Sequence, residues 1–369
     1  MTSIENNQTK AKSYQRVKNI VLLIHYVLLL VLFLIILLPP KSLIVIPESL
    51  RSLSPYIQLA AFFGLFSFYF FLGRLPLSIY SGYILEKQFE LSRQTFWGWF
   101  LRSLKAEMIS FVFMGVLVIL LYALIWHAGD LWWFYAWISY ALVSLGMGKL
   151  FPVLIVPLFY RYTPLPEGSL KTRIKELTER FQLKIKDVYS LNLSQTTKKA
   201  NAMFCGIGKT KRIVMSDTLL ENFTDDEIMA VLAHELGHYC HRDIWRQFWF
   251  GFSMSFLTFY ISFLWLKTWV PEFGIHATSD IKSFPILCFI MFMLSFVLTP
   301  VGNLFSRWLE RAADRFAIDT LKESAPFIDS MKKLAQINLA DMDPNPVIEF
   351  LFHSHPSIRK RIQWAEQLQ

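Results

Sequence analysis

Six long apolar segments constrain the fold of this chain more than any other feature. They cover residues 20–38, 59–79, 108–126, 132–157, 248–270 and 284–301. Each is close to the roughly 20 residues that a helix needs to cross the hydrocarbon core of a bilayer, and hydrophobic residues make up 54% of the sequence. The pattern predicts a polytopic, mainly α-helical membrane protein with about six spans. The first segment lacks a small-residue cleavage site and is expected to remain as an anchor.

The distribution of basic residues predicts the orientation of these spans. Lys and Arg are concentrated before the first segment and between the second and third, whereas the loops after the first, third and fifth segments contain few. By the positive-inside rule, both termini and the long soluble segment face the cytosol. The same rule accounts for the net charge of +9. Because no basic helix or basic patch with interleaved aromatic residues stands out, we expect no nucleic-acid partner.

The spacing of the spans divides the chain into four parts. A soluble segment of roughly 90 residues separates the fourth and fifth spans, and only a short loop separates the fifth from the sixth. The expected parts are an N-terminal transmembrane region with about four spans (1–160), a cytosolic segment (161–246), a transmembrane hairpin (247–302) and a C-terminal helical segment (303–369).

Shorter patterns predict the structure of the soluble parts. The segment 163–168 is rich in turn residues, and apolar residues at helical spacing follow it up to Phe181. Short β-like runs at 187–191, 202–205 and 212–215 predict a small sheet. After the last span we expect helices over 306–321 and 326–337, and a final helix after Pro356.

The motif His234-Glu235-Leu236-Gly237-His238 lies at the end of the soluble segment. Upstream, the sequence 224–227 has the pattern of a capping box, and an apolar helical face follows it. On a helix, residues four apart lie on one face, so His234 and His238 can bind one metal ion. Glu235, one step round, reaches a water bound to that ion. The pattern is typical of zinc hydrolases.

A catalytic zinc ion usually has three protein ligands and one open position, so a third ligand is needed. Glu310 is the candidate, because an even number of membrane crossings returns the chain to the face that carries the motif. Asp314, four residues later, can accept a hydrogen bond from a ligand imidazole. Without the upstream motif, the local sequence would favour a solvated charged face for Glu310, Asp314 and the neighbouring arginines; the motif reverses this preference. Cys240 is interpreted as a packing residue.

The C-terminal segment 353–361 contains both imidazole and guanidinium groups. These groups are candidates for stabilising an oxyanion that develops during hydrolysis. The alternative for this segment is a surface turn followed by the start of a basic helix.

Several motifs in one order give the chain a resemblance to a known family. It resembles the integral-membrane zinc metalloproteases typified by the type-one CAAX prenyl protease, and more distantly the bacterial HtpX heat-shock proteases. The matching segments are 86–96, 157–159, 163–168, 201–204, 212–214, 234–238, 306–307, Glu310, 313–314, 355–356 and Arg361.

This resemblance implies a zincin-like α+β catalytic domain with a small sheet and one Zn²⁺ per chain. It implies zinc ligation by His234, His238 and Glu310. Glu235 would be the general base, and Asp314 would orient a ligand. It further implies that Asn201 and Ala202 bind the substrate backbone, and that His355 and Arg361 stabilise the tetrahedral intermediate. The family encloses its site in a chamber ringed by membrane helices.

The function expected from the motif and the resemblance is zinc-dependent hydrolysis of peptide bonds. The substrates would be peptides or proteins that are membrane-associated or lipidated, and membrane lipid would be the other partner. Two alternatives are an HtpX-like protease that acts in membrane protein quality control and a non-catalytic, zinc-containing transporter or lipid-binding protein. The short chain and its short loops indicate a bacterial cytoplasmic membrane. For a eukaryotic source, the alternative is the membrane of the endoplasmic reticulum.

Overall fold

The six predicted spans are present as helices. The structure, a computed structural model, describes residues 3–38, 52–183, 185–206 and 211–368. Within these residues, six helical segments are long and apolar enough to cross a membrane, which confirms the polytopic, mainly α-helical fold. The N-terminal helices are α1 (Ser3–Leu37), α2 (Pro55–Ile79), α3 (Leu85–Gln88), α4 (Phe96–His127) and α5 (Trp132–Leu150).

Irregular helical turns extend two of these helices. A π-helical turn, Tyr80–Ile84, joins α2 to α3. A second π-helical turn, Phe151–Ile155, and a 3₁₀ turn, Val156–Leu158, prolong α5 to the end of its predicted span. Further 3₁₀ turns cover Gly129–Leu131, Leu193–Gln195 and Ile281–Ser283.

A small mixed sheet forms the centre of the soluble segment. Its strands are β1 (Tyr162–Pro164), β2 (Val188–Leu191), β3 (Ala202–Cys205) and β4 (Arg212–Ser216), in the spatial order β1-β2-β4-β3. β2 and β4 are parallel, and the two outer pairs are antiparallel. The prediction of a turn from residue 163 onwards was wrong at its start, because Thr163 and Pro164 pair with β2 and add an edge strand.

Helices of the soluble segment cover one face of this sheet. They are α6 (Ser169–Arg180), α7 (Asp217–Asn222) and α8 (Asp225–Cys240). Fully buried side chains from α6, β4 and α8, including Ile174, Met215 and Leu232, share one apolar core. This core fixes α8, which carries the histidine motif, against the sheet.

The chain passes from α8 directly into the transmembrane hairpin. α8 ends at Cys240, and α9 (Asp243–Glu272) begins three residues later. Arg242 has the left-handed φ of 57°, which makes the connection a tight turn. The histidine motif of α8 therefore lies close to the start of a spanning helix.

The second helix of the hairpin is longer than predicted. Residues 284–301 and 306–321 were expected as two helices, but they form one continuous helix, α10 (Phe284–Leu321), of 38 residues. It is about 57 Å long, whereas the hydrocarbon core is about 30 Å thick. The link 302–305 has one weak helix former, Gly302, and nothing that stops the helix. α10 therefore extends beyond its span and carries Glu310 and Asp314 with it.

Three shorter helices complete the C-terminal part: α11 (Ala325–Ile337), α12 (Pro346–Phe352) and α13 (Ile358–Gln367). α11 and α13 pack on α8 and α10 through a core that includes Phe327 and Ile362.

Small residues allow α8 and α10 to approach closely. Ala230, Ala233 and Ala317 are fully buried between α8, α10 and α11. At Gly237 the contact is closest, because a Cβ atom there would lie 3.0 Å from the Cα of Ala313. A backbone atom cannot move aside as a flexible side chain does, so any larger residue must push the two helices apart.

We therefore predict that Gly237→Ala destabilises the protein although alanine favours helices. The higher helix propensity of alanine raises the free energy of unfolding by about 1 kcal/mol. Crowding in a packed core lowers it by about 1–3 kcal/mol. The expected result is a lower thermal unfolding temperature in detergent together with slower peptide hydrolysis. The matched control is Gly251→Ala on α9, where a Cβ would meet no atom within 4 Å. Equal unfolding temperatures and activities for the two variants would contradict this account of the α8–α10 contact.

Candidate metal centre and active site

The start of α8 is fixed by a complete capping box. The Thr224 side chain accepts a hydrogen bond from the backbone N–H of Glu227, and the Glu227 carboxylate accepts one from the backbone N–H of Thr224. Lys333 of α11 also binds Glu227, at 2.7 Å. With its first turn held in this way, α8 presents His234 and His238 on one face, with ring centroids 4.8 Å apart.

Glu310 of α10 meets the two imidazoles. Its Oε2 lies 3.4 Å from Nε2 of His234, and its Oε1 lies 3.3 Å from Nε2 of His238. One ligand atom from each of the three residues lies within 4.8 Å of the others. The structure thus brings together, across the hairpin, the three residues that the sequence nominated as ligands.

This donor set fits a metal ion. Glu310 is 6% exposed, and among the described residues its Oε2 atom has no hydrogen-bond partner. A buried carboxylate oxygen without a partner is costly unless a cation satisfies it. Two imidazole nitrogens and one carboxylate are the ligands of many catalytic zinc sites, and they leave one coordination position for water.

The outer nitrogen of each histidine is held by a buried carboxylate. Nδ1 of His234 donates to Oδ1 of Asp314 at 2.8 Å, and Nδ1 of His238 donates to Oδ2 of Asp243 at 2.9 Å. Asp314 and Asp243 are 3% and 2% exposed. These bonds orient both rings so that Nε2 faces the centre, an arrangement that raises ligand basicity.

Sequence reasoning nominated Asp314 but missed Asp243. Asp243 stands five residues after His238, and a continuous helix would place it away from the ligand face. The left-handed turn at Arg242 brings it back. The available signal was an acidic residue at the first position of the next helix, and a sequence pattern alone does not show where that helix begins.

The carboxylates raise the pKa values of both histidines in the metal-free protein. Burial lowers the pKa of His234, but the nearby carboxylates of Asp314 and Glu310 outweigh it and raise the value to about 9. The pKa of His238 is raised in the same way by Glu310 and Asp243, again against burial. Because a metal ligand must be deprotonated, metal binding displaces these protons and weakens as the pH falls.

Glu235 lies beside the two histidines on α8. Burial raises the pKa of its carboxyl group, and the positive charges of His234 and His238 oppose this shift. A carboxylate whose pKa lies above its ordinary value is suited to accept a proton and give it up again at neutral pH.

Arg361 of α13 binds the carboxylate behind His234. Its Nε and Nη2 atoms donate to the two oxygens of Asp314 at 2.9 and 2.5 Å, and the guanidinium is buried. Nη2 also lies 4.0 Å from Oε2 of Glu310. The positively charged guanidinium of Arg361 therefore lies at the edge of the centre, where its direct hydrogen bonds go to Asp314 rather than to Glu310.

His355 approaches from the loop between α12 and α13. Its Nε2 lies 3.3 Å from Oε1 of Glu310, and its side chain is 60% exposed. Arg307 of α10 positions this loop by donating to the backbone oxygens of Glu349 and His353 at 3.0 and 2.6 Å. An exposed imidazole at the rim of a buried centre is accessible to a bound substrate.

Asn201 and Ala202 lie at the edge of the sheet. The backbone of Asn201 exchanges hydrogen bonds with Ser216 at 2.8 and 2.9 Å. The Asn201 side chain is exposed, whereas the Ala202 side chain packs in the core shared with α8. Ala202 can therefore contact a substrate only through its backbone. Within the described sheet, β3 pairs on one side only, so its other edge is available to an extended peptide.

The segment before β3 is clamped by the motif 86–96, whose role the sequence did not reveal. Lys199 binds Glu86 at 2.8 Å and the hydroxyl of Tyr14 at 3.0 Å. The backbone N–H of Lys198 donates to the carbonyl of Leu91 at 2.9 Å. α1 and the loop before α4 thus fix the approach to the edge strand.

We predict that Asp243→Asn weakens metal binding without unfolding the protein. The amide keeps the shape but removes the negative charge that supports His238, and such changes typically cost about 10- to 100-fold in metal affinity. Competition with a chelator of known affinity for Zn²⁺ measures the loss. Asp329→Asn, an exposed position on α11, is the control with unchanged affinity. If Asp243→Asn binds Zn²⁺ as tightly as wild type, the Asp243 carboxylate does not strengthen metal binding through His238.

Comparisons with known proteins agree with this geometry. A model described as Peptidase family M48 matches residues 164–369, and a model described as CAAX prenyl protease N-terminal, five membrane helices, matches residues 3–161. The chain is 31% identical over 316 residues to the uncharacterized metalloprotease YhfN of Bacillus subtilis, covering 85% of this chain and 74% of that protein. It is 30% identical over 339 residues to CAAX prenyl protease 1 of Saccharomyces cerevisiae, covering 86% and 74%.

A solved structure extends the likeness to the whole fold. The crystal structure of S. mikatae Ste24p superposes with a TM-score of 0.87 at 25% identity, covering 98% of this chain and 89% of that chain. Family models, relatives and fold together confirm the resemblance predicted from the sequence. The chain belongs to peptidase family M48 and is an integral-membrane metalloendopeptidase.

Proposed function

We propose that the chain hydrolyses peptide bonds with one zinc ion held by His234, His238 and Glu310. The observation that carries this proposal is the convergence of both Nε2 atoms on a buried carboxylate whose Oε2 has no hydrogen-bond partner among the described residues. Zinc in such a site polarises a substrate carbonyl and lowers the pKa of water.

Glu235 acts as the general base and then as the general acid. It takes a proton from the attacking water and delivers it to the nitrogen of the leaving amine. Its raised pKa supports this exchange, because the carboxyl group must hold the proton between the two steps.

His355 and Arg361 stabilise the negative charge that develops on the substrate oxygen. His355 is supported in this role by its exposure and by its position 3.3 Å from Glu310. Arg361 is supported by its buried guanidinium beside the centre. It also neutralises Asp314, so that this carboxylate orients His234 without adding uncompensated negative charge.

Asn201 and Ala202 bind the substrate backbone. An extended peptide added to the free edge of β3 gains main-chain hydrogen bonds, and its side chains then alternate between the two faces of the sheet. The clamp formed by Lys199 and Glu86 keeps this edge in place for the incoming strand.

The substrates are membrane-associated, lipidated proteins or peptides. Relatives that carry the name CAAX prenyl protease support this class. The position of the metal centre, joined to α9 and α10 where these helices leave their spans, supports it as well.

The metal centre faces the cytosol, and the membrane is the bacterial cytoplasmic membrane. The excess of Lys and Arg before the first span and between the second and third supports this orientation. In functional terms, residues 1–160 form the membrane enclosure, and residues 161–246 supply two ligands and the base. Residues 247–302 form the hairpin, and residues 303–369 complete the site.

We predict that Glu235→Gln lowers the rate of peptide hydrolysis by about 10²- to 10⁴-fold, because the amide cannot take a proton from water. The bound zinc, measured by elemental analysis, is expected to remain at one ion per chain. The control is Glu221→Gln, an exposed position on α7. Undiminished hydrolysis by Glu235→Gln with zinc retained would refute the assignment of the base.

The substrate class is tested with two peptides of one sequence, with and without an isoprenyl group on a cysteine. We predict at least about tenfold higher kcat/KM for the lipidated peptide, mainly through KM, because burial of the isoprenyl carbons adds binding free energy. Glu235→Gln is the negative control for both peptides. Equal kcat/KM for the pair, with comparable cleavage of unfolded membrane-protein fragments, would instead support a quality-control protease.

A further inference from the structure

A cavity lies in the membrane region, and the residues that line it do not include the proposed metal ligands. It has a volume of about 470 Å³ and is lined mainly by residues of α1, α2 and α4. Each of the three helices contributes residues at helical spacing. α1 contributes Lys18 and His25, α2 contributes Arg74 and Ser78, and α4 contributes Glu107. The remaining wall is largely aromatic and aliphatic.

Three charged side chains of this cavity, Lys18, Arg74 and Glu107, lie towards the ends of the apolar segments. All three charged side chains belong to helices that are apolar enough to cross the membrane. Towards the end of a span an ionisable side chain can reach the polar interface, and the side chains of Arg74 and Glu107 are 38% and 49% exposed. The structure gives them incomplete partners, since Arg74 and Glu107 lie 4.0 Å apart, at the limit of an ion pair. The Nε of Arg74 donates to the carbonyl of Phe70, and Lys18 lies over the ring of Tyr14.

The positions of Lys18 and Glu107 in the sequence indicate that these charges lie near the membrane–water interface. Lys18 comes just before the continuous apolar part of α1, and Glu107 just before that of α4. Both α1 and α4 run from the side of the membrane region that carries the sheet. A ligand in this cavity therefore meets charge at its polar end and apolar walls along the rest of its length.

We propose that this cavity binds a glycerophospholipid with a phosphoethanolamine headgroup. The phosphate binds Lys18 and Arg74, because a guanidinium and an ammonium group are the usual partners of phosphate. The ammonium group of the lipid binds Glu107. A headgroup that carries a phosphate alone would leave the Glu107 carboxylate facing a second negative charge. The acyl chains lie along the apolar walls formed by residues such as Phe71 and Trp99.

The same cavity reaches the loop that carries His355. Phe352 and His353 line its wall, and Phe352 stacks on Tyr26 of α1 with ring centroids 6.0 Å apart. His355 is only two residues further along the chain. A lipid bound here contacts the segment that positions this residue.

The experiment measures lipid that stays bound to the full-length protein. The protein is placed in nanodiscs with equal amounts of phosphatidylethanolamine and phosphatidylglycerol, released, and examined by native mass spectrometry. We expect one retained phosphatidylethanolamine, about tenfold over phosphatidylglycerol, which corresponds to about 1.4 kcal/mol. Lys18→Gln/Arg74→Gln is expected to lose about tenfold of the retained lipid, and Glu107→Gln is expected to abolish the preference between the two headgroups.

The control is Arg16→Gln, which removes an exposed positive charge on α1 that does not line the cavity. Glycerophosphoethanolamine, which has the same headgroup without acyl chains, is added as a competitor and should not displace the lipid at equal concentration. The proposal is overturned if the wild type shows no headgroup preference or prefers phosphatidylglycerol. Equal lipid loss from Arg16→Gln, or displacement by the free headgroup, also overturns it. The wild-type preference requires no variant to fold, and none of these readouts depends on peptide hydrolysis.

Discussion

The close contact between α8 and α10 is the constraint on which the metal centre depends. Two of the proposed ligands lie on α8, and the third lies on α10, after two crossings of the membrane. Contacts between residues that are close in sequence cannot hold these three residues together. The helices meet because Gly237 and a row of alanines remove the side chains that would separate them. The apolar cores on either side of α8 then fix its rotation, and with it the direction of both imidazoles.

The charges around the centre are arranged so that no buried ion stands alone. Glu310, Asp314 and Asp243 are buried carboxylates, and each faces an imidazole. Arg361 binds Asp314 with two hydrogen bonds, and Arg246 lies 3.3 Å from Asp243. Buried ions without partners are strongly destabilising. In the described part of the chain, Oε2 of Glu310 is the one oxygen of these three carboxylates that is buried without a hydrogen-bond partner, and a cation bound there would complete the network.

Much of this arrangement follows from sequence because the signals are local or topological. The spans follow from apolar length, and the motif of α8 follows from its spacing and its capping box. The meeting of Glu310 with the histidines follows from counting membrane crossings. Other features depend on tertiary packing. The contact of Asp243 with His238 could be predicted only by knowing the left-handed turn before α9. The continuity of α10 could be predicted only by knowing that the link after Pro300 stays helical. The short helix α12 and strand β1 have too few residues to show a period, so sequence reasoning did not find them.

The uninterrupted length of α10 makes the bilayer a mechanical part of the catalytic apparatus. One end of this rod is embedded in lipid and the other end holds Glu310, while α9 leads from the lipid to the helix that holds both imidazoles. A change in the angle between α9 and α10 would therefore change the distances between the proposed ligand atoms of His234, His238 and Glu310. Membrane thickness, to which spanning helices adjust partly by tilting, would thereby act on the geometry of the proposed metal centre from a distance.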